Sequence, residues 1–304
     1  MTCASANASR RTVSAASLIA GAALSVVTLG AAVAADVGED FLRGSLLPSF
    51  EAPSYNNWEG FYVGGHIGGT YANTDYTNSL RSLTSTMLRN FAIADDVANL
   101  VTLGREATGK TSFGGFIGYN FRQWDEFVLG VEANYTRLNL QSSNADSPPG
   151  VRIQNDTGAP TGHHFYYDTT LTGSASVKIV DFATLRARAA WSGAGQFLPY
   201  AFVGAALGRA SYSRTTTVSF TRRDIPDTAI PPITPLPDSS FGPRTETESQ
   251  SNVLAYGFTA GLGVDVTILP NMFLRAEWEY VQFAPIHDIK VSINTGRVGL
   301  GIKF

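Results

Sequence analysis

Cysteine is almost absent from this chain of 304 residues, which contains only Cys3. Cys3 lies before an apolar run that Arg10 and Arg11 introduce and that ends in small residues just before Asp36. This order of basic, apolar and small residues predicts a secretory signal peptide, residues 1–35, that is removed on export. A retained transmembrane helix is the alternative, because the run is almost long enough to span a bilayer. With the signal peptide removed, the mature chain has no thiol and no disulfide.

Long hydrophobic runs are also absent after Asp36, which excludes membrane-spanning helices from the mature chain. An excess of positive charge is missing as well, since 22 Lys and Arg face 25 Asp and Glu, a net charge of −3. Removal of Arg10 and Arg11 changes this to 20 minus 25, or −5. An acidic exported protein is a poor candidate for nucleic-acid binding, so we predict no nucleic-acid partner.

The chain does contain repeated alternation of apolar and polar residues, which hydropathy averages overlook. Eight segments alternate with a period of two: WEGFYVGGHIGGTYA, SFGGFIGYNF, FVLGVEANYTRL, TLRARAAW, FLPYAFVGAALGRASYS, NVLAYGFTAGLGVDVTI, MFLRAEWEYVQF and KVSINTGRVGLGIKF. Alternation over about ten residues is typical of transmembrane β-strands. An antiparallel soluble sandwich also alternates, so the pattern alone does not separate the two folds.

The connections between these segments alternate between short and long. Short turns join segments two and three, four and five, and six and seven, whereas residues 73–110, 141–168 and 221–248 form long connections. Short periplasmic turns and long outer loops are the pattern of outer-membrane barrels. The proline-rich stretch 226–243 is predicted to be a mobile outer loop rather than a strand.

Aromatic residues gather at the turn end of this arrangement. Trp58 begins the first segment, Trp124 lies in the first turn, Trp191 ends the fourth segment and Phe304 ends the last. We therefore predict an aromatic girdle at the periplasmic rim. The even number of segments returns both chain ends to the periplasm, in agreement with an exported protein.

These asymmetries favour a closed barrel, because the bilayer core cannot satisfy the open edge of a sheet. The predicted fold is all-β: a transmembrane antiparallel up-and-down β-barrel of eight strands over residues 58–304, with long extracellular loops and short periplasmic turns. Residues 36–57 have no clear period and contain Pro48 and Pro53, which indicates a periplasmic linker.

Ten charged residues oppose the apolar faces and are predicted to line the lumen: Arg122, Glu132, Arg186, Arg188, Asp265, Arg275, Glu277, Glu279, Arg297 and Lys303. Six positive and four negative groups should pair extensively, because isolated charges there would be poorly solvated. An eight-stranded barrel is about wide enough inside for its side chains to fill it. We predict a salt-bridged plug with at most a small or gated conductance. A carboxylate pair for glycoside hydrolysis, Glu277 with Glu279, is the alternative, but several arginines share their face and favour structural pairing.

Two histidine-containing stretches offer a chemical alternative. HHFYYD, residues 163–168, could bind a metal or haem, since neighbouring imidazoles and tyrosines are capable ligands. Adjacent histidines in an outer loop are more often plain surface residues. His287 beside Asp288 would suit a membrane hydrolase, but adjacency in sequence does not orient a base toward a nucleophile, and no nucleophile is marked. We therefore predict no catalytic residue, no metal and no cofactor.

GREATGKT, residues 104–111, fits the phosphate-binding pattern G-x-x-x-x-G-K-[ST] at every fixed position. A working phosphate loop needs a preceding buried strand and a following helix whose N-terminus receives the phosphate. Here an alternating strand follows at once and a polar loop precedes, so Lys110 would lie at the outer rim of the second strand. We predict no nucleotide partner. The motif instead marks where an outer loop re-enters the membrane.

Four fragments carry a family resemblance: WEGFYVGGHIGG, LPYAFVGAALG, LPNMFLRAEWEYVQF and GRVGLGIKF. Together they resemble the small outer-membrane barrel proteins of alphaproteobacteria, described as outer membrane immunogenic or porin-family proteins with an OmpA-like eight-stranded barrel. The similarity covers residues 58–304, interrupted by long loops that depart from the compact members. It implies surrounding outer-membrane lipid and insertion by the outer-membrane assembly machinery. The signature for that machinery is Phe304 after alternating Val298, Leu300 and Ile302.

The predicted function is an envelope-structural role with at most limited porin-like passage. Members of the resembled family are variously labelled porins, surface antigens, adhesins or haem-binding proteins, which leaves a second hypothesis open. In it, the protein is an adhesin or a ligand receptor, for example for haem. It would contact a host surface or an extracellular ligand through residues 73–110 and 221–248, since loops on a rigid scaffold commonly carry recognition. A third hypothesis, an outer-membrane hydrolase, requires His287 or Glu277.

Overall fold

A computed structural model describes residues 58–100, 103–122, 126–228 and 232–304. The predicted signal peptide and linker, residues 1–57, lie outside the described residues, as do Trp124 and the side chain of Arg122. Within the described ranges, no helix combines the length and the apolar character that crossing a membrane requires.

Nine antiparallel strands and two short helices are present in the described chain. The strands are β1 (Gly60–Asp75), β2 (Arg105–Arg122), β3 (Phe127–Asp146), β4 (Val151–Gln154), β5 (Phe165–Trp191), β6 (Phe197–Asp224), β7 (Ser239–Leu269), β8 (Met272–Phe283) and β9 (Lys290–Lys303). The helices, α1 (Arg81–Met87) and α2 (Ala94–Ala98), lie in the connection between β1 and β2.

Eight of the strands close into a ring. Neighbours pair in the order β3-β2-β1-β9-β8-β7-β6-β5, and β3 then pairs with β5 to complete the circle. The closing register places Glu132 opposite Arg186. The four-residue β4 pairs only with β5 and lies outside the ring. The predicted closed barrel of eight antiparallel strands is confirmed, and β4 is an additional strand within a segment that was predicted to be a loop.

Alternation along each strand separates an apolar outer face from a more polar inner one. Successive side chains point to opposite sides of a strand, so β3 places Leu129, Val131 and Tyr135 outside and Glu132 and Asn134 inside. The three outer side chains are 39% to 48% exposed, whereas the inner two are buried. A soluble protein rarely exposes so large an apolar surface, but a bilayer covers it with lipid.

Strands β5, β6 and β7 are much longer than a membrane requires. They contain 27, 28 and 31 residues, whereas a tilted strand spans the hydrocarbon core with about 9–11 residues. Their outer halves form a sheet that projects beyond the membrane at the end of the long connections. The prediction that residues 141–168 and 221–248 are loops is therefore wrong for much of their length. Polar residues dominate these stretches and hide the buried positions, such as Phe165 and Tyr167, that hold the strands in place.

Pro243 lies inside β7, although the proline-rich stretch around it predicts a loop. Pairing with β6 is irregular at this point, where Val218 pairs with Arg244 and Phe220 with Phe241. On its other side, β7 begins to pair with β8 only at Gly257. Pro243 therefore lies on an open edge, where no neighbouring strand requires the amide hydrogen that proline lacks.

Residues 76–100 and 103–104, in the connection between β1 and β2, fold over the outer mouth of the barrel and are called the cap below. Ile93 of the cap is fully buried in a hydrophobic core that the outer halves of the barrel strands share. The ring of Phe91 contacts those of Phe220 and Phe241 edge-on, with centroids 5.2 and 4.9 Å away. Because this core includes residues of β1, β3 and β5 to β9, the cap covers the mouth rather than one side of it.

Candidate functional site

The lumen contains a layer of charged side chains. Four arginines and four carboxylates point inward from β3, β5, β7, β8 and β9, and each side chain is at most 2% exposed: Arg186, Arg188, Arg275, Arg297, Glu132, Asp265, Glu277 and Glu279. The two-residue period of each strand turns these side chains into the lumen while their neighbours face the lipid. The formal charges of the eight groups sum to zero, so the layer can neutralise itself without counterions.

Glu132 accepts hydrogen bonds from three arginines, more than any other carboxylate in this layer. It accepts hydrogen bonds from Arg186 Nε at 2.9 Å, from Arg275 Nη1 at 2.7 Å and from Arg188 Nη1 at 3.3 Å. The hydroxyl of Tyr62 donates a further hydrogen bond to it at 2.7 Å. Glu132 thus links three arginines from two different strands.

Each of the other three carboxylates pairs closely with two arginines, and Glu277 also lies 3.9 Å from a third, Arg275. Asp265 accepts from Arg188 and from Arg275, both at 2.8 Å. Glu277 accepts from Arg186 at 2.8 Å and forms a second ion pair with Arg297. Glu279 likewise lies 3.3 Å from Arg186 and 3.1 Å from Arg297. Charge pairing on this scale is what makes burial of eight ions tolerable.

Aromatic rings pack against the guanidinium groups and fill the space between them. The guanidinium carbon of Arg186 lies 4.2 Å from the ring centroid of Phe202, and that of Arg275 lies 3.9 Å from Phe116. Arg188 lies 3.9 Å from the ring of Tyr200. The sequence analysis missed these rings. They lie on the inward faces of β2 and β6, where their alternation with lipid-facing neighbours was the available signal.

A cluster of aromatic and apolar side chains closes the periplasmic end of the lumen. The rings of Trp58 and Tyr62 contact Phe273 edge-on, with centroids 6.3 and 5.9 Å away, and Val128 and Leu198 belong to the same cluster. Trp58 is only 4% exposed. The prediction that Trp58 belongs to a lipid-facing girdle is therefore wrong, because its indole is buried in this cluster before β1 begins.

Other predicted residues at the periplasmic end face different surroundings. Trp191 and Phe304 are exposed on the outer surface, and the Phe304 ring lies 6.0 Å from that of Phe61. The ammonium group of Lys303 lies 4.6 Å from the centroid of the Trp58 ring. Lys303 therefore lies at the end of the lumen, against the aromatic cluster.

With this geometry in place, comparison with known proteins gives a family. Residues 22–304 match the outer membrane protein β-barrel domain family. The chain belongs to that family. Among curated protein sequences, none matches the chain. Membership of an outer membrane β-barrel family indicates that the apolar outer face contacts the lipid of the outer membrane.

Solved structures of outer membrane barrels are similar at low sequence identity. Ail, the attachment invasion locus protein of Yersinia pestis, is 12% identical, with 81% of this chain and 99% of that one covered and a TM-score of 0.31. Neisserial surface protein A is 15% identical over 80% of this chain and 97% of its own, with a TM-score of 0.33. The N-terminal β-barrel domain of Pseudomonas aeruginosa OprF is 11% identical over 81% and 98%, with a TM-score of 0.29.

The two histidines of HHFYYD contact carboxylates in the projecting part of this outer membrane barrel. His163 Nδ1 lies 2.6 Å from Asp224, and His164 contacts Asp156 at 2.7 Å and Asp227 at 3.1 Å. The hydrogen bond to Asp156, followed by the one to Asp227, raises the pKa of His164 above its ordinary value. These pairs tie two outer loops together. Among the described residues, no group of three or more His, Cys, Asp or Glu side chains is arranged to hold a metal ion.

The residues of the hydrolase hypotheses are held in structural contacts. His287 stacks on Tyr212 at a centroid distance of 4.4 Å, and its Nδ1 lies 3.2 Å from Glu248. This imidazole faces a carboxylate and an aromatic ring rather than a serine. Glu277 and Glu279 are both engaged by arginines, so neither is a free acid or base beside an open cleft.

The GREATGKT segment is extended. Gly104 precedes β2, and the residues from Arg105 onward pair with β1, with Lys110 opposite Thr70 and Thr111 opposite Gly69. The strand continues to Arg122 without a helix. A phosphate loop requires a strand-to-helix turn with converging amides, which this antiparallel pairing does not provide.

A second set of aromatic residues lies on the lipid-facing surface toward the outer end. Tyr71, Tyr135 and Tyr256 are exposed there on β1, β3 and β7. These three tyrosines were not predicted from the sequence, which indicated an aromatic girdle only at the periplasmic end. The outer tyrosines lie at outward positions of their strands, about one membrane thickness from the periplasmic turns, so their spacing along the chain was the available signal.

Proposed function

We propose that the protein is an envelope-structural barrel of the outer membrane whose lumen is closed to free solute flow. The observation that supports this is the continuous filling of the lumen. An aromatic cluster occupies the periplasmic end, eight paired charges follow, and a capped hydrophobic core occupies the outer end. Side chains or the cap therefore occupy the lumen at each of these three levels.

Opening a channel through the charged layer would separate ions that are shielded from water. Removing one partner of a buried ion pair typically costs about 3–5 kcal/mol. Glu132 alone joins three arginines, so a hydrated solute would have to part several pairs at once. We infer that passage is limited to rare rearrangements, which corresponds to a limited porin-like role at most.

Conductance of the refolded protein in planar bilayers tests this proposal. We expect a closed baseline with rare and brief openings, and slow swelling of liposomes in small sugars. The comparison variant carries Arg186→Ala together with Glu277→Ala, which removes one cation and one anion and keeps the layer neutral. It should open more often than the unaltered protein. Large and persistently open steps from the unaltered protein would contradict a closed lumen.

We also infer that the outer-membrane assembly machinery recognises the last strand. Val298, Leu300, Ile302 and Phe304 form an exposed apolar row along the outer face of β9 and its end. Phe304→Ala should slow assembly in cells without preventing refolding in detergent. Phe61→Ala, which removes the neighbouring ring at the same rim, is the matched control. Equal assembly of both variants would argue against this assignment.

Ligand binding at the outer end is a second candidate, and the projecting sheet is the observation that favours it. The outer halves of β5, β6 and β7 pair with each other and pack on the cap. An adhesin or a receptor, for example for haem, would therefore present a preorganised surface rather than free loops, which lowers the cost of ordering on binding.

Replacing residues 225–238 by a short turn tests this second candidate and leaves the paired strands in place. Binding is measured on host cells and, for haem, by absorbance. Loss of binding from a barrel that keeps its heat-modifiable electrophoretic mobility favours the receptor. Unchanged binding excludes residues 225–238 as the contact surface. A matched replacement within the cap then tests whether the cap binds the ligand.

A further inference from the structure

A groove crosses the lipid-facing surface of β1, β2, β3, β5 and β6. Its volume is about 590 Å³, within the range of about 300–1,000 Å³ that is typical of ligand pockets. Ala133, Ala183 and Ala205 are among its lining residues, as are the larger Tyr135 and Leu185. Tyr135 is paired with Ala183, and Leu185 is paired with both other alanines. Small and large side chains thus alternate across neighbouring strands and leave a depression in the wall.

A charged row borders the outer end of this groove. Pairing aligns Arg137, Asp181 and Arg209 across β3, β5 and β6. Arg137 lies two residues from Tyr135, and Asp181 lies two residues from Ala183. Two residues along a strand correspond to about 6.6 Å, so the charges adjoin the groove directly.

Asp181 organises the row. Its buried carboxylate accepts a hydrogen bond from the Tyr135 hydroxyl at 2.7 Å and one from Arg209 Nε at 2.8 Å. The side chain of Arg209 nevertheless remains 59% exposed. Arg137 and Lys178 are also exposed on this face, and neither forms an ion pair within the described ranges. Three cations and one carboxylate therefore leave an excess of positive charge.

The row lies at the depth of the lipid head groups. Phe127 begins β3 at the periplasmic rim, and Arg137 follows at 137 minus 127, or 10, residues. A tilted strand crosses the hydrocarbon core in about 9–11 residues. The groove therefore lies among acyl chains, and the row lies where their charged head groups begin.

We propose that the groove and the row form a binding site for one phosphorylated membrane lipid. An acyl chain occupies the groove, and the phosphate binds Arg137 and Lys178, because Asp181 lies between Arg137 and Arg209 and already engages the Arg209 guanidinium. Guanidinium groups bind phosphate through charge-assisted and often bidentate hydrogen bonds. The excess of positive charge selects an anionic lipid over a neutral one, and the groove selects a lipid over free phosphate.

Two variants separate the parts of this site. Arg137→Gln with Lys178→Gln removes two cations and leaves the pairing of Asp181 with Arg209 intact. Arg81→Gln with Arg89→Gln, in exposed positions of the cap, also removes two cations and is the matched charge control.

Ala183→Leu with Ala205→Leu fills the groove without touching the charged row. Ala189→Leu with Ala201→Leu, at lipid-facing alanines of β5 and β6 outside the groove, is the matched control. Heat-modifiable electrophoretic mobility verifies that every variant is folded.

Native mass spectrometry of the refolded protein in neutral detergent measures retention of phosphatidic acid and of phosphatidylcholine with the same acyl chains. We expect phosphatidic acid to bind at least about tenfold more tightly, a difference of about 1.4 kcal/mol. The charge variant should lose this preference, and the filled groove should weaken binding of both lipids. Both controls should behave like the unaltered protein.

Three results would overturn the proposal. Equal retention of the two lipids by the unaltered protein would remove the role of the charged row, as would a preference that survives in the charge variant. Unchanged binding in the filled-groove variant, together with displacement of the lipid by inorganic phosphate, would show a head-group site without a lipid chain.

Discussion

The carboxylate of Glu132 accepts hydrogen bonds from three guanidinium groups, whereas no other carboxylate of the layer accepts from more than two. Glu132→Gln keeps the shape of the side chain but leaves four buried cations facing three anions. We expect a loss of about 3–5 kcal/mol in the free energy of unfolding, as for other broken buried ion pairs. Urea unfolding in lipid vesicles, followed by tryptophan fluorescence, measures the change.

The matched control is Glu106→Gln, which neutralises an exposed glutamate of β2 outside the layer. Its effect should remain within about 0.5 kcal/mol, as for most surface substitutions. Equal stability of the two variants would mean that Glu132 contributes no net pairing energy.

Steric fit inside the lumen depends on glycine at a point where an aromatic ring approaches the wall. A methyl group at Gly118 would overlap the hydroxyl of Tyr62 and lie 2.8 Å from the carbonyl oxygen of Val131. Gly118→Ala should therefore destabilise the barrel by about 1–3 kcal/mol, as overpacking does. Gly296→Ala is the control, because an added methyl group there contacts nothing within 4 Å. Urea midpoints of the two variants should differ, and identical midpoints would contradict the clash.

The alternation of apolar and polar residues predicts which side chains face the lumen, but it says little about which residues they contact there. It predicts that Glu132 and Arg275 face inward, since each opposes an apolar neighbour. Their hydrogen bond joins residues 143 positions apart on strands that are not neighbours in the ring. Such a contact depends on the curvature of the closed barrel, which no local pattern encodes. Trp58 shows the same limit, because it precedes β1 and has no strand period to orient it.

At the scale of elements, strands with a hydrophobic face are predicted well from the sequence, whereas strand segments of mostly polar residues are not. β8 occupies Met272–Phe283, the residues of the seventh predicted segment. The outer half of β6, in contrast, is rich in threonine and arginine and was partly assigned to a loop. Its alternate residues are buried by the neighbouring strands and the cap. Helices α1 and α2 were missed because each is short and is stabilised by that same packing rather than by its own pattern.

The contacts of His164 with Asp156 and Asp227 link two outer loops and depend on pH. The pKa of His164 is raised by its hydrogen bonds to Asp156 and Asp227, and the pKa of Asp156 is lowered by the bond from His164. The contribution of His164 to the stability of this link is present below its ordinary pKa of 6.5, and it is lost as pH rises through the raised pKa. That of Asp156 is present above 3.8 and is lost as pH falls through the lowered value. Between these limits the link is strongest.

Hydrogen exchange measures this link at the amide of Phe165, which donates to Asp156 at 2.8 Å. Its protection factor should fall as pH rises from about 5 to about 9, across the titration of histidine. His164→Gln should remove the pH dependence, whereas His287→Gln, at another outer histidine, should leave it in place. The same pH profile in all three proteins would contradict a role for His164.

At the scale of the whole molecule, side chains fill the barrel at successive levels along one axis. The aromatic cluster and the charged layer are continuous, because Tyr62 belongs to the first and donates to Glu132 in the second. The cap lies beyond them and packs on the outer core. The aromatic cluster and the charged layer are proposed to block solute flow completely. The cap is then not needed for closure.

Removal of the cap therefore separates a plugged barrel from a gated one. Replacing residues 79–100 by a glycine-serine linker should leave the bilayer conductance at its closed baseline, because the paired charges inside remain shielded and neutral. Replacing residues 226–238, which lie in the connection between β6 and β7, is the matched control. If loss of the cap alone produces long-lived open steps, the cap is a gate and the inner layer conducts. If the baseline is unchanged, closure belongs to the lumen itself, and the cap is available for contacts outside the cell.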